Sequence, residues 1–346
     1  MAAKKSGQWA KELKSRELRE GTLNLIEVAG SPELLGTGHR CLVRARRGDK
    51  ELTSIPIEGL HPACHFPSRV AASRSGVIAL EFGGSDQTRL VVVNPEGKIL
   101  TELYDPRLAD VMSLRLSPSG DEVVVVIDTS TGGTRVPSQI LHARVAALAS
   151  GLAQLAECTY RPAIAFDDAG RLCWLQDNTL STRDHGQITA VKLATDIDRA
   201  TLPGVNSTTT CGFLFPGVLQ VQGERCVAIE SFTGGSYFVF NRAGTMLRTF
   251  HGLLVERLAL LDHGRKLLCT AAPAKDRTGS ADWVPWPDPR MREAYLGVFD
   301  TDTGAILSLT ERGKGCTRGF AAMDDLAMVA SDVRGGAMRV ETFPLA

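Results

Sequence analysis

Between Met112 and Asp128 the chain reads MSLRLSPSGDEVVVVID. Alternating apolar positions run into Ser-Pro-Ser-Gly, and an unbroken Val/Ile run follows. Alternation marks a strand with one face toward a core, and the solid run marks a strand buried on both faces. Ser117 and Pro118 start a tight turn between the two, and Gly120 closes it.

The same unit recurs. Ser73-Arg-Ser-Gly76, Asp167-Asp-Ala-Gly170 and Leu261-Asp-His-Gly264 each sit between apolar runs, and Phe215-Pro-Gly217 reads as a shorter copy. The glycines fall at 76, 120, 170, 217 and 264, so the steps are 44, 50, 47 and 47 residues. Stepping back from Gly76 reaches Gly30 in Val28-Ala-Gly-Ser-Pro32, and stepping forward from Gly264 reaches Met323-Asp-Asp325. Seven such turns at this period are what four-stranded propeller blades produce.

A second series interleaves with the first. Val91–Leu100, Phe238–Leu247 and Val298–Leu307 share one pattern. A strand ends in Asn or Asp, Gly follows three or four residues later, and an apolar residue stands three beyond it. Weaker copies surround Gly48, Gly151 and Gly186. Two alternating hairpins per repeat give strands A, B, C and D of one blade. The expected fold is therefore all-β, a single propeller of four-stranded antiparallel blades over residues 22–346, with seven blades and six as the alternative count.

The blades read as about 22–58, 66–104, 110–156, 160–194, 212–250, 255–310 and 318–343. Within the third, Ala143–Leu155 is Ala-rich enough for helix as well as strand. The polar stretch Thr195–Thr210 reads as a long D–A connection. Only three strands are evident in blade 7, so a strand from the N-terminus is expected to cover its edge. Thr22–Val28 or the arm before it are the candidates; using Thr22–Val28 would reduce the count to six. The arm, residues 1–21, carries Trp9 and Leu13 at i, i+4 among mixed charges. It reads as a solvated arm or as a short docking helix, for a partner or for the propeller's own side.

Composition narrows the class of protein. Lys plus Arg and Asp plus Glu number 39 each, so the formal net charge is zero, which argues against a nucleic-acid binder held by charge. With 12 Phe, 4 Trp and 4 Tyr, the blades must pack mainly through Val, Leu, Ile and Ala. The eight cysteines are scattered without a CxxC pair, and Cys173, Cys226 and Cys269 fall inside predicted strands. The reading is a reduced, cytoplasmic protein without disulfides. Residues 1–21 have no apolar core of a secretory signal, and no stretch is long and apolar enough to span a membrane.

The turn chemistry resembles that of WD40 and YVTN-type β-propellers, whose inner turns are of the SPDG kind and outer turns of the D-x-x-TG-x-x-L kind. Ser117-Pro-Ser-Gly120 and Asp300-Thr-Asp-Thr-Gly304 with Leu307 carry the likeness, which covers the repeat architecture from about residue 22 onward. No Trp-Asp dipeptide ends any C strand, so the polar network of true WD40 repeats is expected to be absent.

Candidate chemistry is sparse. His61-Pro-Ala-Cys-His65 places two imidazoles and a thiol within five residues, but no second Cys/His cluster exists to complete a tetrahedral site. An ordinary D–A loop is the reading, and no metal or cofactor is expected. Asp300-Thr-Asp-Thr-Gly304 with Glu311 imitates a calcium loop, yet Ala305 stands where that loop needs Gly. The outer-hairpin reading accounts for the same residues. No nucleophile elbow, phosphate loop, Asp-box or carboxylate pair occurs.

The largest departure from the repeat is the insertion 273–293 between strands B and C of blade 6. It holds Trp283, Trp286 and Arg290, with prolines at 273, 285, 287 and 289. Trp and Arg on a Pro-stiffened loop lose little entropy on binding and are typical interface anchors. The same residues could instead fold back as a local cover or close over a substrate.

Two functions remain open. One is a non-catalytic scaffold, a subunit of a larger complex that binds partner proteins on the face carrying the B–C and D–A loops. Trp283, Trp286 and Arg290 would be its anchors, with Arg135, His61 and His65 nearby and Trp9 on the arm. The other is a propeller enzyme or small-ligand binder with a polar site at the mouth of the central channel. Thiol titration of the denatured, unreduced protein should find eight free sulfhydryls, and fewer would overturn the reading of a disulfide-free chain.

Overall fold

The computed structural model describes residues 24–26, 33–38, 40–46, 53–65, 67–83, 88–129, 137–159, 161–176, 178–193, 216–230, 237–250, 253–273, 295–311, 317–322, 326–333 and 337–345. Its strands form seven antiparallel meanders, each a blade. Blade 1 is β1 (Asn24–Ile26), β2 (Glu33–Gly38), β3 (Cys41–Arg46) and β4 (Thr53–Pro56). Blade 2 is β5 (Arg69–Ala72), β6 (Ile78–Phe82), β7 (Arg89–Val93) and β8 (Ile99–Tyr104). Blade 3 is β9 (Val111–Leu116), β10 (Glu122–Asp128), β11 (Ser138–Arg144) and β12 (Ala153–Cys158). Blade 4 is β13 (Ala163–Phe166), β14 (Leu172–Gln176), β15 (Thr179–Asp184) and β16 (Gln187–Lys192). Blade 5 is β17 (Pro216–Gln222), β18 (Arg225–Glu230), β19 (Tyr237–Asn241) and β20 (Met246–Phe250). Blade 6 is β21 (Leu253–Leu261), β22 (Lys266–Pro273), β23 (Tyr295–Asp300) and β24 (Ile306–Glu311). Blade 7 is β25 (Thr317–Ala322), β26 (Leu326–Val333) and β27 (Ala337–Pro344). The fold is all-β, a propeller of four-stranded antiparallel blades, as the double turn series implies.

The blades group into two compact units, one holding β13 to β24 and the other β1 to β12 with β25 to β27. In each unit the A strands stand side by side: β13 and β21 flank β17, while β25, β1, β5 and β9 follow one another. Burial declines outward along a blade. Strand β6 is buried throughout and β10 over Val123–Ile127, whereas β16 is almost wholly exposed. The B and C strands of blade 2 have an adjoining blade on both faces, so neither face can be polar. That is why the second half of the founding repeat is a solid Val/Ile run. In blade 3, Val125 lies between Leu114 and Leu141 of the flanking strands. Even residues such as Val124 and odd ones such as Val125 are equally sealed.

The apolar layers lie between blades. Leu42, Ile57 and Leu60 meet Ile78, Leu80 and Val91 between blades 1 and 2. Ala79, Leu90 and Val92 meet Leu114, Val123 and Val125 between blades 2 and 3. Two short 3-10 helices, Pro106–Asp110 and Val145–Ser150, drive Leu108 and Leu148 into that second layer. The Ala-rich stretch is thus helical only over Val145–Ser150, and it returns to strand at Ala153. Pro106–Asp110 was not foreseen. Asp105 caps it, accepting a hydrogen bond from the Arg107 amide at 3.0 Å.

Two expectations need correction. Thr22–Val28 does not complete blade 7, because Asn24, Leu25 and Ile26 pair with Thr37, Gly36 and Leu35 in blade 1. Among the described residues the sheets number seven, and the last keeps three strands. Nor is Gly217 an inner turn. It is the extra residue of a bulge where the register shifts between Pro216 and Val218. Pro216 takes the first position of its strand, where a missing N–H is tolerated. The turn comes at Gly223 (φ +54°), closed by Gln222 opposite Arg225.

The outer turns carry a second constraint. Gly97 has φ +82°, and a Cβ there would stand 2.3 Å from the Pro56 carbonyl oxygen at the end of the preceding blade. Gly244 repeats this, with φ +85° and the Lys192 carbonyl oxygen 2.5 Å away. Both glycines permit the turn and the close approach of the next blade. Gly97→Ala and Gly244→Ala should each cost about 1–3 kcal/mol, read from the denaturation midpoint. Wild-type stability for either variant would show that the blades do not depend on this approach.

Candidate interaction surface at the ends of the blades

An antiparallel meander puts its A–B and C–D turns at one end and its B–C and D–A connections at the other. The two ends differ in kind. At the A–B/C–D end, adjacent blades are tied by polar contacts. In one unit, Arg44 Nη2 donates to the Pro95 carbonyl at 2.6 Å, and Ser75 Oγ donates to the Ser119 carbonyl at 2.8 Å. In the other, Arg225 pairs with Asp302 at 2.6 Å.

A further tie is Asp167, whose side chain is fully buried in the A–B turn of blade 4. Its carboxylate accepts from the Arg171 amide and Nε, both at 2.8 Å, and from Nη2 of Arg242 in blade 5 at 2.7 Å. Burial pushes this carboxyl up, but the Arg171 bonds and the Arg242 guanidinium outweigh it and hold it below the usual range. The thiols of Cys173 and Cys226 share this environment, and burial pushes Cys226 up to about 12. They behave as small apolar residues.

The Asp300 turn also belongs to this end. Asp300 Oδ1 accepts from the Thr303 amide at 2.6 Å, from Thr303 Oγ1 at 2.8 Å and from the Asp302 amide at 3.0 Å. These bonds, with Gly304 at φ +74°, make an outer hairpin. Leu307 and its counterpart Leu100 are exposed on their D strands, whereas Leu247, the third copy, is partly buried against Leu258, Leu267 and Phe299. The apolar position after the turn therefore does not mark the core uniformly. Ile99 and Ile306, one residue earlier, pack inward instead.

The other end carries the long connections. No A–B or C–D connection exceeds the eight residues of Val145–Leu152, whereas the gaps 57–68, 129–137, 193–215 and 274–294 are longer and are all B–C or D–A. Each unit holds two of them. Arg135, Trp283, Trp286, Arg290 and Trp9 lie outside the described residues.

His61 and His65 are described, and Arg40 organises their loop. Arg40 sits in the two-residue B–C turn of blade 1 with φ +56°. Its guanidinium donates to the carbonyls of Leu60, His61 (2.9 Å), Cys64 (3.3 Å) and Pro62 (3.4 Å). The loop thus wraps one cation and satisfies carbonyls that would otherwise face into the turn. Leu60 and Cys64 are driven into the layer beneath, His61 is half-buried, and His65 is exposed. His61 Nδ1 accepts from the Ala63 amide at 3.2 Å. Among the described residues, no group of three His, Cys, Asp or Glu side chains could hold a metal.

The neighbouring blade adds Arg89, Glu102 and Tyr104. Arg89 pairs with Glu102 and lies 5.8 Å over the ring of Tyr104, which is 53% exposed. Burial raises the Cys64 thiol, with Arg89 and Arg40 pulling the other way. The result is an exposed aromatic ring held by a cation. Sequence reasoning passed over Arg40, Arg89 and Tyr104. The one available signal was parity, since Tyr104 occupies the outward-facing series of β8 with Leu100 and Glu102.

No family model matches the chain, and no curated protein matches it in sequence. Solved structures do. The β-propeller domain of Cps50 (Swd1) from Myceliophteria thermophila superposes with a TM-score of 0.57 at 10% identity, covering 95% of this chain and 99% of that one. A chain of the nidogen/laminin complex gives a TM-score of 0.44 at 15% identity, over 67% of this chain and 80% of that one. The first likeness shows a β-propeller fold. No helix among the described residues is long and apolar enough to cross a membrane.

Glu81 on β6 offers a direct check of this end. It is 3% exposed, beside Ser68 and Gly83 where the B–C connection begins. Burial raises its carboxyl from 4.5 to about 7, with Arg69 offsetting part of the rise. A carboxyl raised on folding binds its proton more tightly in the folded state. Stability should therefore fall as pH climbs from about 4.5 to about 7 and level off above that. Glu81→Gln should flatten this segment of the curve of stability against pH. An unchanged slope would show that Glu81 titrates normally.

Proposed function

We propose that the protein is a non-catalytic interaction scaffold, a cytoplasmic subunit of a protein complex. Its partner is a protein that meets the B–C/D–A ends of the blades. The observation that carries this reading is the asymmetry of the two ends. One is closed by short turns and blade-to-blade ion pairs, and the other bears every long connection. Long loops on a rigid scaffold are where binding concentrates, because the scaffold has already met the entropy of positioning them.

In one unit, the Arg40-pinned loop with His61 and His65, the Arg89–Tyr104 stack and the connection holding Arg135 make up this end. In the other, the insertion 273–293 supplies Trp283, Trp286 and Arg290 as anchors. The zero formal net charge supports a protein rather than nucleic acid as the partner.

Tagged full-length protein, recovered from its own cells alongside the Trp283→Ala/Trp286→Ala variant, tests the reading. The variant should lose the partner seen with wild type, and titration with that purified partner should show a loss of roughly 2–4 kcal/mol. Its circular dichroism and melting point should match wild type, because both residues lie outside the blade strands. Undiminished binding by the folded variant would refute the assignment of these anchors.

A further inference from the structure

Buried carboxylates in this protein are answered by arginine, with one exception. Arg107 bonds to Asp105 at 2.6 Å, and Arg171 and Arg242 bond to Asp167 at 2.8 and 2.7 Å. Glu81 is just as deeply placed, at 3% exposure. Arg69 stands directly opposite it on β5, yet the Arg69 Nε donates to the Val111 carbonyl of blade 3 at 3.2 Å. Leu90, its neighbour on β7, is apolar. Among the described residues no hydrogen bond or ion pair reaches the Glu81 carboxyl.

That carboxyl lies beside an opening at the B–C/D–A end. Strand β6 stops at Phe82, and both Gly83 and Ser68 are exposed. The Ser68 amide donates to the Glu81 carbonyl at 2.7 Å, and the Ser68 hydroxyl accepts from the Gly83 amide at 3.4 Å. A Cβ on Gly83 would stand 3.0 Å from Glu81 Oε1 and 3.1 Å from Ser68 Oγ. Two oxygens therefore converge on the side of residue 83 that any side chain would fill. Gly83 has no left-handed φ, so the backbone conformation does not call for glycine there. What the glycine does is keep the approach to Oε1 clear.

We propose that this cradle receives the ammonium group of a lysine side chain from the partner protein. The inference rests on reading the B–C/D–A end as the partner-binding surface, and it names the chemistry that surface accepts. A carboxyl withdrawn from water and left without arginine gains more from a cation than an exposed one does. An ammonium is compact and carries three donors, enough for Glu81 Oε1, Ser68 Oγ and one further acceptor. A guanidinium fork is matched instead by both oxygens of one carboxylate, and only Oε1 lies this close to the opening.

Full-length protein, isotope-labelled at its glutamate carboxyls and assigned through bonds, tests this without the partner. The probe is Nα-acetyl-lysine amide, added at about 1–30 mM because a single contact binds weakly. It should lower the pH midpoint of the Glu81 signal, by the equivalent of about a tenfold preference for the ionised carboxyl. The Nε-acetylated probe and ammonium chloride at matched ionic strength should leave the midpoint in place. Gly83→Ala, which fills the cradle, should abolish the response while keeping the wild-type melting point. A midpoint in the unmutated protein that ignores the amine would refute the proposal, whatever the variant does. An equal response to the acetylated probe or to ammonium chloride would do the same, as would a full response in folded Gly83→Ala. Since the partner never enters, such a result leaves the scaffold reading to be judged by Trp283 and Trp286.

Discussion

A sheet whose middle strands are apolar on both faces cannot stand alone. Val123 to Ile127 in β10 and Ile78 to Phe82 in β6 are sealed on either side, and one blade has no second layer of its own with which to do that. Each blade therefore needs two neighbours, and repetition satisfies the need. The burial gradient follows. Strands near the middle of a blade are pressed between neighbours, while D strands such as β16 have solvent on their free side and a composition to match. Leu100, Tyr104, Ile188 and Leu307, the exposed large apolar side chains among the described residues, all sit on D strands.

The spacing at which blades meet is set at the A–B/C–D end. A carbonyl of one blade comes so near the turn of the next that a single methyl at Gly97 or Gly244 would occupy its space. Buried charge reinforces the contact. Asp167 would be costly to bury alone, and it is tolerated because Arg171 and Arg242 approach it from two blades. With its turns committed to holding neighbours, this end has little freedom to vary. The opposite end takes part as well, since Pro56 and Lys192 finish D strands and Arg69 Nε donates to the Val111 carbonyl at 3.2 Å. Connections there can still lengthen at small entropic expense. Arg40 shows how one of them is nonetheless ordered, by threading carbonyls onto a single guanidinium. An ordered loop and a cation-held ring surrender less freedom on contact than a slack loop would, which suits a binding surface.

How much of this was legible depends on the range of the interaction. Strand and turn are local. Alternation, solid Val runs and the Ser-Pro-Ser-Gly and Asp-Thr-Asp-Thr-Gly turns placed all seven blades within a few residues of their observed limits, and Gly76, Gly120, Gly170 and Gly264 are inner turns as read. Local chemistry misled where two structures share one signature. Pro216-Gly217 looks like a turn and is a bulge at a strand start, while the true turn at Gly223 lacks proline. The candidate surface was less legible still. His61 and His65 could be placed on a D–A loop from the repeat alone, but nothing nearby in sequence announces that Arg40, about twenty residues earlier, holds that loop.

The sequence by itself determined the repeat, the strand order within each blade and the end of the blade at which each long connection emerges, because period, hydrogen-bond pairing and turn residues act within a few positions along the chain. Tertiary structure alone decided the rest. It assigned Asn24–Ile26 to blade 1 rather than blade 7, and it brought Arg242 to Asp167 and Arg89 onto Tyr104. It also raised Glu81 by burying it. In each case the deciding partner is remote in sequence or the deciding quantity is burial, and neither leaves a mark in the local order of residues.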